Sequence, residues 1–162
     1  MMTDSIAVRS AVADDTTTIL AFIHKKSEFD RQIGAFSGNI QTTEAKIRQT
    51  IFGKTPFARV LIAEISQQPV GFASYYFRYS SFAGEPSIWL DDLYVNADMR
   101  SRGIGNQLMK HLAQIANNNF CSHIAWTADA RNDRGLNFYH RLGAKIKERS
   151  CNICYFQWDF NK

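Results

Sequence analysis

Apolar residues Ile104, Leu108, Met109, Leu112 and Ile115 recur at helical spacing and predict one face of an amphipathic helix. Ahead of it, residues 88–95 are rich in aromatic and branched side chains and predict a strand. Asn96-Ala97-Asp98 breaks that strand, and Arg100-Ser101-Arg102-Gly103-Ile104-Gly105 leads into the helix. Elsewhere, residues 6–12 alternate as an opening strand, and Asp14 or Asp15 caps a helix over residues 16–29 with Ile19, Leu20, Phe22 and Ile23 on its apolar face. Glu28-Phe29-Asp30 closes that helix or begins a mobile loop that includes residues 34–40, and a second helix spans residues 43–52 and stops at Gly53. Residues 58–65 and 70–79 predict two strands joined by the hairpin Ser66-Gln67-Gln68-Pro69, followed by a loop over residues 80–87. Residues 122–128 form another strand, residues 133–142 a helix stopped by Gly143, and residues 145–147 and 152–160 the closing strands. The order βααβββαβαβ(β) makes one α/β domain over residues 1–162, without repeats or a linker.

A basic, glycine-containing loop between a strand and a helix is a site for an anion, because the first N–H groups of the helix are unpaired and its dipole is positive there. Without Cβ atoms, Gly103 and Gly105 let the backbone approach phosphate oxygens. Neither the Gly-Lys-Ser/Thr of a Walker loop nor the G-x-G-x-x-G of a dinucleotide site is present.

This loop, the strand before it and the later run from Asn132 through Asn137-Phe138-Tyr139-His140-Arg141-Leu142-Gly143-Ala144 resemble the GNAT superfamily of acyl-CoA-dependent N-acetyltransferases over nearly the whole chain. Ala63-Glu64, Val70-Gly71-Phe72-Ala73-Ser74-Tyr75-Tyr76-Phe77 and Leu90-Asp91-Asp92-Leu93-Tyr94-Val95 further resemble its diamine (spermidine/spermine-like) branch. The resemblance implies the GNAT fold, a mixed central sheet flanked by helices, and acetyl-CoA as cosubstrate. It implies that backbone N–H groups of Arg100, Ser101, Arg102, Gly103, Ile104, Gly105 and Asn106 hold the pyrophosphate. By the same resemblance, Leu93, Tyr94 and Val95 line the pantetheine arm as an added strand, Asn132 contacts that arm, and Arg141 approaches a phosphate.

Acetyl transfer to an amine needs a polarised carbonyl, a deprotonated amine and a proton for the leaving thiolate. Tyr139 matches the family tyrosine near the cofactor sulfur, and a phenol can supply that proton. An alkyl ammonium, with a pKa of about 10, must first lose a proton. Asp91 and Asp92 are adjacent on the strand and so face opposite ways; Asp91 stands where the diamine branch usually has glutamate, and its shorter reach favours a water relay. Glu28 and Asp92, with Asp30 and Glu85, are candidates to hold a second ammonium. The branch often has an acidic residue where this chain reads Ser80-Ser81-Phe82, and a glycine where it has Ser101. No cysteine falls in these motifs, so direct transfer in a ternary complex is expected. The acceptor reads as a small primary amine: a diamine, a polyamine or a basic amino acid. A protein or peptide acetyltransferase and a non-catalytic acyl-CoA-binding sensor are the alternatives.

Composition narrows the remaining classes. Hydrophobic residues make up 45% and charged residues 21%, ordinary values for a globular domain. No apolar run approaches the ~18 residues of a membrane span, so no membrane role is expected. Met1-Met2-Thr3-Asp4-Ser5 has neither a charged nor an apolar leader region, so the cytoplasm is the expected location. The net charge of +4 is spread out, unlike the concentrated stripe of a nucleic-acid protein, and suits a polyanionic cofactor. Three cysteines do not form a disulfide framework, Cys151 and Cys154 of the C-x-x-C pair face opposite sides of a strand, and the four histidines lack metal-ligand spacing; no metal is expected. Tyr155, Phe156, Trp158 and Phe160 put large aromatics on both faces of the last strand. Such a strand must be covered by its own sheet or by a second subunit, and the diamine-branch resemblance implies a C2 homodimer with residues 155–160 at or beside the interface.

Overall fold

The computed structural model describes residues 4–162. The start Met1-Met2-Thr3, on which the reading of an absent leader rests in part, lies outside them. Seven strands, β1 (Ile6–Ser10), β2 (Arg59–Ile65), β3 (Gln68–Ser80), β4 (Glu85–Val95), β5 (Ile124–Asp129), β6 (Lys145–Ser150) and β7 (Ile153–Trp158), form one sheet in the order β1-β2-β3-β4-β5-β7-β6. Four helices accompany them: α1 (Thr16–Gln32), α2 (Glu44–Thr50), α3 (Ile104–Asn118) and α4 (Asp133–Leu142). All pairings are antiparallel except β4 with β5, so the sheet is mixed.

Alternation along β2 separates two apolar layers. Val60 and Ile62 pack with Ile19 and Phe22 of α1 and Ile47 of α2, whereas Leu61, Ala63 and Ile65 pack with Ile104, Leu108, Met109 and Leu112 of α3. The predicted helical face is therefore the buried one, although the innermost residue of its last turn is Ala116 and Ile115 is half-buried.

Several boundaries differ from the sequence expectation. α1 continues to Gln32, so Glu28, Phe29 and Asp30 are helical. Residues 80–87 are not a loop: β3 runs to Ser80 and β4 starts at Glu85, leaving a four-residue turn in a long hairpin. The β2–β3 turn is two residues, Ser66 and Gln67, both left-handed at φ 50° and 63°, and the strand resumes at Gln68. Cys151 lies in the β6–β7 turn at φ 51° and is exposed, whereas Cys154 is buried in β7. β7 is hydrogen-bonded to β5 on one side and β6 on the other. Its own sheet thus covers it, the edge is the charged β6 (Lys145, Lys147, Glu148, Arg149), and protection of an exposed strand gives no reason for a second subunit.

α1 is tied to the sheet at its first turn. Arg9 of β1 donates from Nη1 and Nη2 to Asp15 at 2.7 and 2.9 Å and from Nε to Glu64 of β2 at 2.9 Å. Asp15 also accepts the Val12 N–H at 2.7 Å. The Arg9 guanidinium, together with that N–H, holds the Asp15 carboxyl below the usual carboxylate range against the opposing effect of burial. A depressed carboxylate stabilises the fold above its unfolded pKa, and that stability is lost as pH falls through the folded value. Arg9→Met leaves the buried Asp15 uncompensated and is expected to lower the unfolding free energy by about 1–3 kcal/mol at neutral pH. Urea midpoints should show this loss shrinking as pH falls below about 4, the unfolded range, and vanishing only once pH is below the depressed folded value of Asp15.

Candidate active site

The sheet opens where β4 meets β5. The two strands pair only at Ile88–Ile124 and Trp89–Ala125; beyond that β5 pairs with β7, and residues 90–95 of β4 have no partner on that side. A cleft of about 1030 Å³ occupies the gap, with Leu93, Tyr94 and Val95 on one wall and Trp126, Thr127 and Ala128 on the other. That is the upper end of the size range of about 300–1,000 Å³ for small-molecule sites.

A β-bulge shapes the β4 wall. Ser74 of β3 pairs with Asp92 but Tyr75 pairs with Leu90, so Asp91 is the extra residue. The bulge shifts the alternation by one: Ile88 and Leu90 before it, and Leu93 and Val95 after it, all pack into the α3 layer. The opposite-face expectation for Asp91 and Asp92, which assumes a regular strand, does not apply at a bulge. Asp91 is exposed and lines the cleft. Asp92 accepts from Ser74 Oγ at 3.3 Å and lies 3.6 Å from Lys26 Nζ of α1, whose ammonium is 2.6 Å from Asp30. Burial pushes the Asp92 carboxyl up, against the pull of Lys26. The Lys26 ammonium is penalised by burial, yet Asp92 and Asp30 outweigh that and hold it above the ordinary lysine range.

The loop between β4 and α3 has the geometry of an anion cradle. Ser101 and Gly103 are left-handed at φ 62° and 84°. Turns of this kind gather successive N–H groups into a concavity. Gln107 is the first residue whose N–H bonds back into α3, to Gly103 O at 3.0 Å, so the N–H groups of Ile104, Gly105 and Asn106 have no intrahelical acceptor. Ser101 holds this left-handed conformation as an L-residue, at a penalty of about 1–2 kcal/mol.

The two glycines do different things. A Cβ on Gly103 would meet open space, so its requirement is conformational. A Cβ on Gly105 would lie 3.3 Å from the Phe138 ring, so that residue lets α3 approach α4 rather than simply leaving room for a ligand. Arg100 is folded back. Its Nε donates to Val95 O at 3.0 Å, and its guanidinium lies over Phe29 at 5.0 Å and Tyr94 at 5.5 Å, tying the loop to α1 and β4. The Val95 carbonyl is thereby engaged by the chain itself.

α4 closes the far wall. Asn132 is its N-cap: Oδ1 accepts the Gly135 N–H at 2.9 Å, which leaves the amide NH₂ available. Tyr139 is buried at the cleft wall between Trp126 and Phe156, with ring centroids 4.9 and 5.2 Å away. Burial, with the negative charges of Asp30 and Asp92, raises its phenol above the usual tyrosine range, so it keeps its proton. Arg141 also lines the cleft; Arg102, Glu28 and Asp92 do not, and Glu28 is exposed with Arg31 Nη1 at 3.4 Å.

Three residues were missed in the sequence: Lys26, Trp126 and Arg134. Lys26 reads there as one of two adjacent solvated lysines. Trp126, packed on Tyr139, reads as an ordinary strand aromatic. Arg134 lines the cleft in the first turn of α4, with Nη2 3.1 Å from Ser101 Oγ. Its signal was legible: Arg134 and Arg141 are seven apart on one helix face, and a cation in a first turn opposes the helix dipole.

Among the described residues no group of His, Cys, Asp and Glu is placed to hold a metal, and no helix is long and apolar enough to cross a membrane.

The Acetyltransferase (GNAT) family model matches residues 25–144. Thialysine N-epsilon-acetyltransferase of Bos taurus is 32% identical over 148 residues, covering 86% of this chain and 84% of that protein. Spermidine/spermine N(1)-acetyltransferase-like protein 1 of Homo sapiens is also 32% identical, over 87% of this chain and 21% of that protein. Among solved structures, PaiA N-acetyltransferase from Thermoplasma acidophilum in complex with coenzyme A superposes with a TM-score of 0.74 at 14% identity, covering 96% of this chain and 99% of that one, a likeness of fold.

Proposed function

The chain belongs to the acetyltransferase (GNAT) family, and we propose that it transfers acetyl from acetyl-CoA directly to a small primary amine held in the cleft between β4 and β5. The observation that carries this reading is the joining of two features in one cavity: the unpartnered edge of β4, and the cradle of free N–H groups at the start of α3. A linear amide-bearing arm can add to the edge, and a pyrophosphate suits the cradle. Arg134 and Arg141 offer further positive charge beside it. The amide NH₂ of Asn132 is free to donate to the arm.

When bound, acetyl-CoA supplies an activated thioester. Asp91, exposed in the bulge, takes the proton of the incoming ammonium through a water molecule, freeing the nitrogen lone pair to attack the thioester carbon. A backbone N–H near Leu93 donates to the carbonyl oxygen as its charge grows. As the carbon–sulfur bond breaks, the Tyr139 hydroxyl gives its proton to the departing sulfur and regains one from the attacking nitrogen, so the products are the acetylated amine and a free thiol, and the first ammonium proton leaves to solvent through Asp91.

The acceptor is a basic amine or amino acid. Support for this class comes from the bovine relative, named for a thialysine side-chain nitrogen, and from the carboxylates near the cleft. Thiol release with acetyl-CoA and an amine panel tests the reading. Thiol is expected to appear at a rate that depends on the amine; tight acetyl-CoA binding with no thiol for any amine would make the protein a sensor. A homodimer is the proposed assembly, supported by the exposed aromatics Tyr79 and Phe82 on the β3–β4 hairpin, and the cytoplasm its proposed location. Light scattering at twice the 18.5 kDa chain mass would bear it out, and a monomer mass would end it.

A further inference from the structure

Asp30 of α1 lines the cleft and Asp92 of β4, just outside its lining, flanks the same point, as a grip for a cationic group would. The place between them is already filled by the chain. Lys26 Nζ stands 2.6 Å from Asp30 and 3.6 Å from Asp92. Lys26 and Asp30 share one face of α1 one turn apart and line the cleft with Asp91 and Tyr139. Lys26 is only partly buried, and of the three N–H donors of its ammonium one is hydrogen-bonded to Asp30, while Asp92 is held as an ion pair.

We propose that Lys26 is a specificity-determining residue: its ammonium takes the place of a substrate's second cation between Asp30 and Asp92, so the enzyme favours amines with an anionic or neutral far end over diamines. This deepens the acetyl-transfer reading and rests on it. A diamine extended from Asp91 and Tyr139 brings its second ammonium against that of Lys26, and like charges at such range are unfavourable. A carboxylate at the far end instead meets a free N–H of Lys26. The substrate class is thus an ω-amino carboxylate or the side chain of a basic amino acid rather than a polyamine.

Three acceptors of equal length and opposite far-end charge test the proposal: aminohexanoate, hexylamine and diaminohexane. In the wild type, kcat/KM is expected to fall in that order. Lys26→Met, which keeps length and removes charge, should shift the diaminohexane-to-aminohexanoate ratio toward the diamine by about tenfold or more, mainly through KM. Lys26→Arg should keep the wild-type order. A wild type that prefers diaminohexane overturns the proposal without any variant. So does a folded Lys26→Met protein whose ratio stays within about twofold of wild type. If the wild type releases no thiol with any of the three, the acetyl-transfer reading fails instead. Calorimetric titration of the same three compounds into the coenzyme A-loaded wild type then reads the far-end preference alone, with aminohexanoate binding more tightly than diaminohexane as the supporting result and the reverse as the refuting one.

Discussion

Tyr139→Phe is expected to reduce turnover by about 10² to 10⁴ while thermal midpoint and acetyl-CoA affinity stay near wild type. The ring makes the packing contacts, against Trp126 at 4.9 Å and Phe156 at 5.2 Å, and phenylalanine preserves them. The hydroxyl alone is lost. Its proton is held firmly because burial and the charges of Asp30 and Asp92 disfavour a phenolate, so the group is a donor at any working pH. A thiolate leaving without that donor must take its proton from water in a partly closed cleft. Steady-state thiol release beside calorimetric binding decides the matter. Wild-type turnover in a folded variant would make Tyr139 a core aromatic and nothing more.

Gly103→Val should weaken acetyl-CoA binding by about a hundredfold, the equivalent of one or two charge-assisted hydrogen bonds. Because a Cβ there meets open space, the loss would come from the backbone. A branched residue abandons φ 84°, and the loop N–H groups no longer converge. Gly103→Asn separates the causes, since asparagine tolerates the left-handed region. Calorimetry should find the asparagine variant within about tenfold of wild type and the valine variant far weaker. Equal losses would show that the ligand needs the space and not the conformation; unchanged affinity in both would remove the loop from the site.

The elements built on periodicity were legible. The apolar face of α3, the Gly143 stop of α4 and the paired strands β2 and β3 all follow from local pattern. The fold class and the glycine turn ahead of α3 were legible because a strand, a glycine turn and a helix lie consecutively in the chain. What escaped is set by partners distant in sequence. The Asp91 bulge exists only relative to β3, since nothing in Leu90-Asp91-Asp92-Leu93 marks the extra residue. β7 could not be placed between β5 and β6 from its own aromatics, which suit an interior strand and an interface equally. Lys26 and Asp92 are 66 positions apart, and their meeting depends on how α1 crosses β4. The close approach of Phe138 to Gly105 was not legible because Phe138 comes from another helix.

The parting of β4 from β5 has a further consequence for how the molecule breathes. The sheet is two half-sheets, β1–β4 and β5–β7, stitched at Ile88–Ile124 and Trp89–Ala125. Backbone amides of residues 90–95 that point into the gap have no acceptor strand, so in deuterated buffer they should exchange as fast as loop amides while their neighbours toward β3 exchange slowly. A ligand arm laid along that edge would close the seam, and the fast amides would join the slow class. The exchange map would then record occupancy strand by strand, with alternate residues of one strand reporting whether the two halves behave as one sheet.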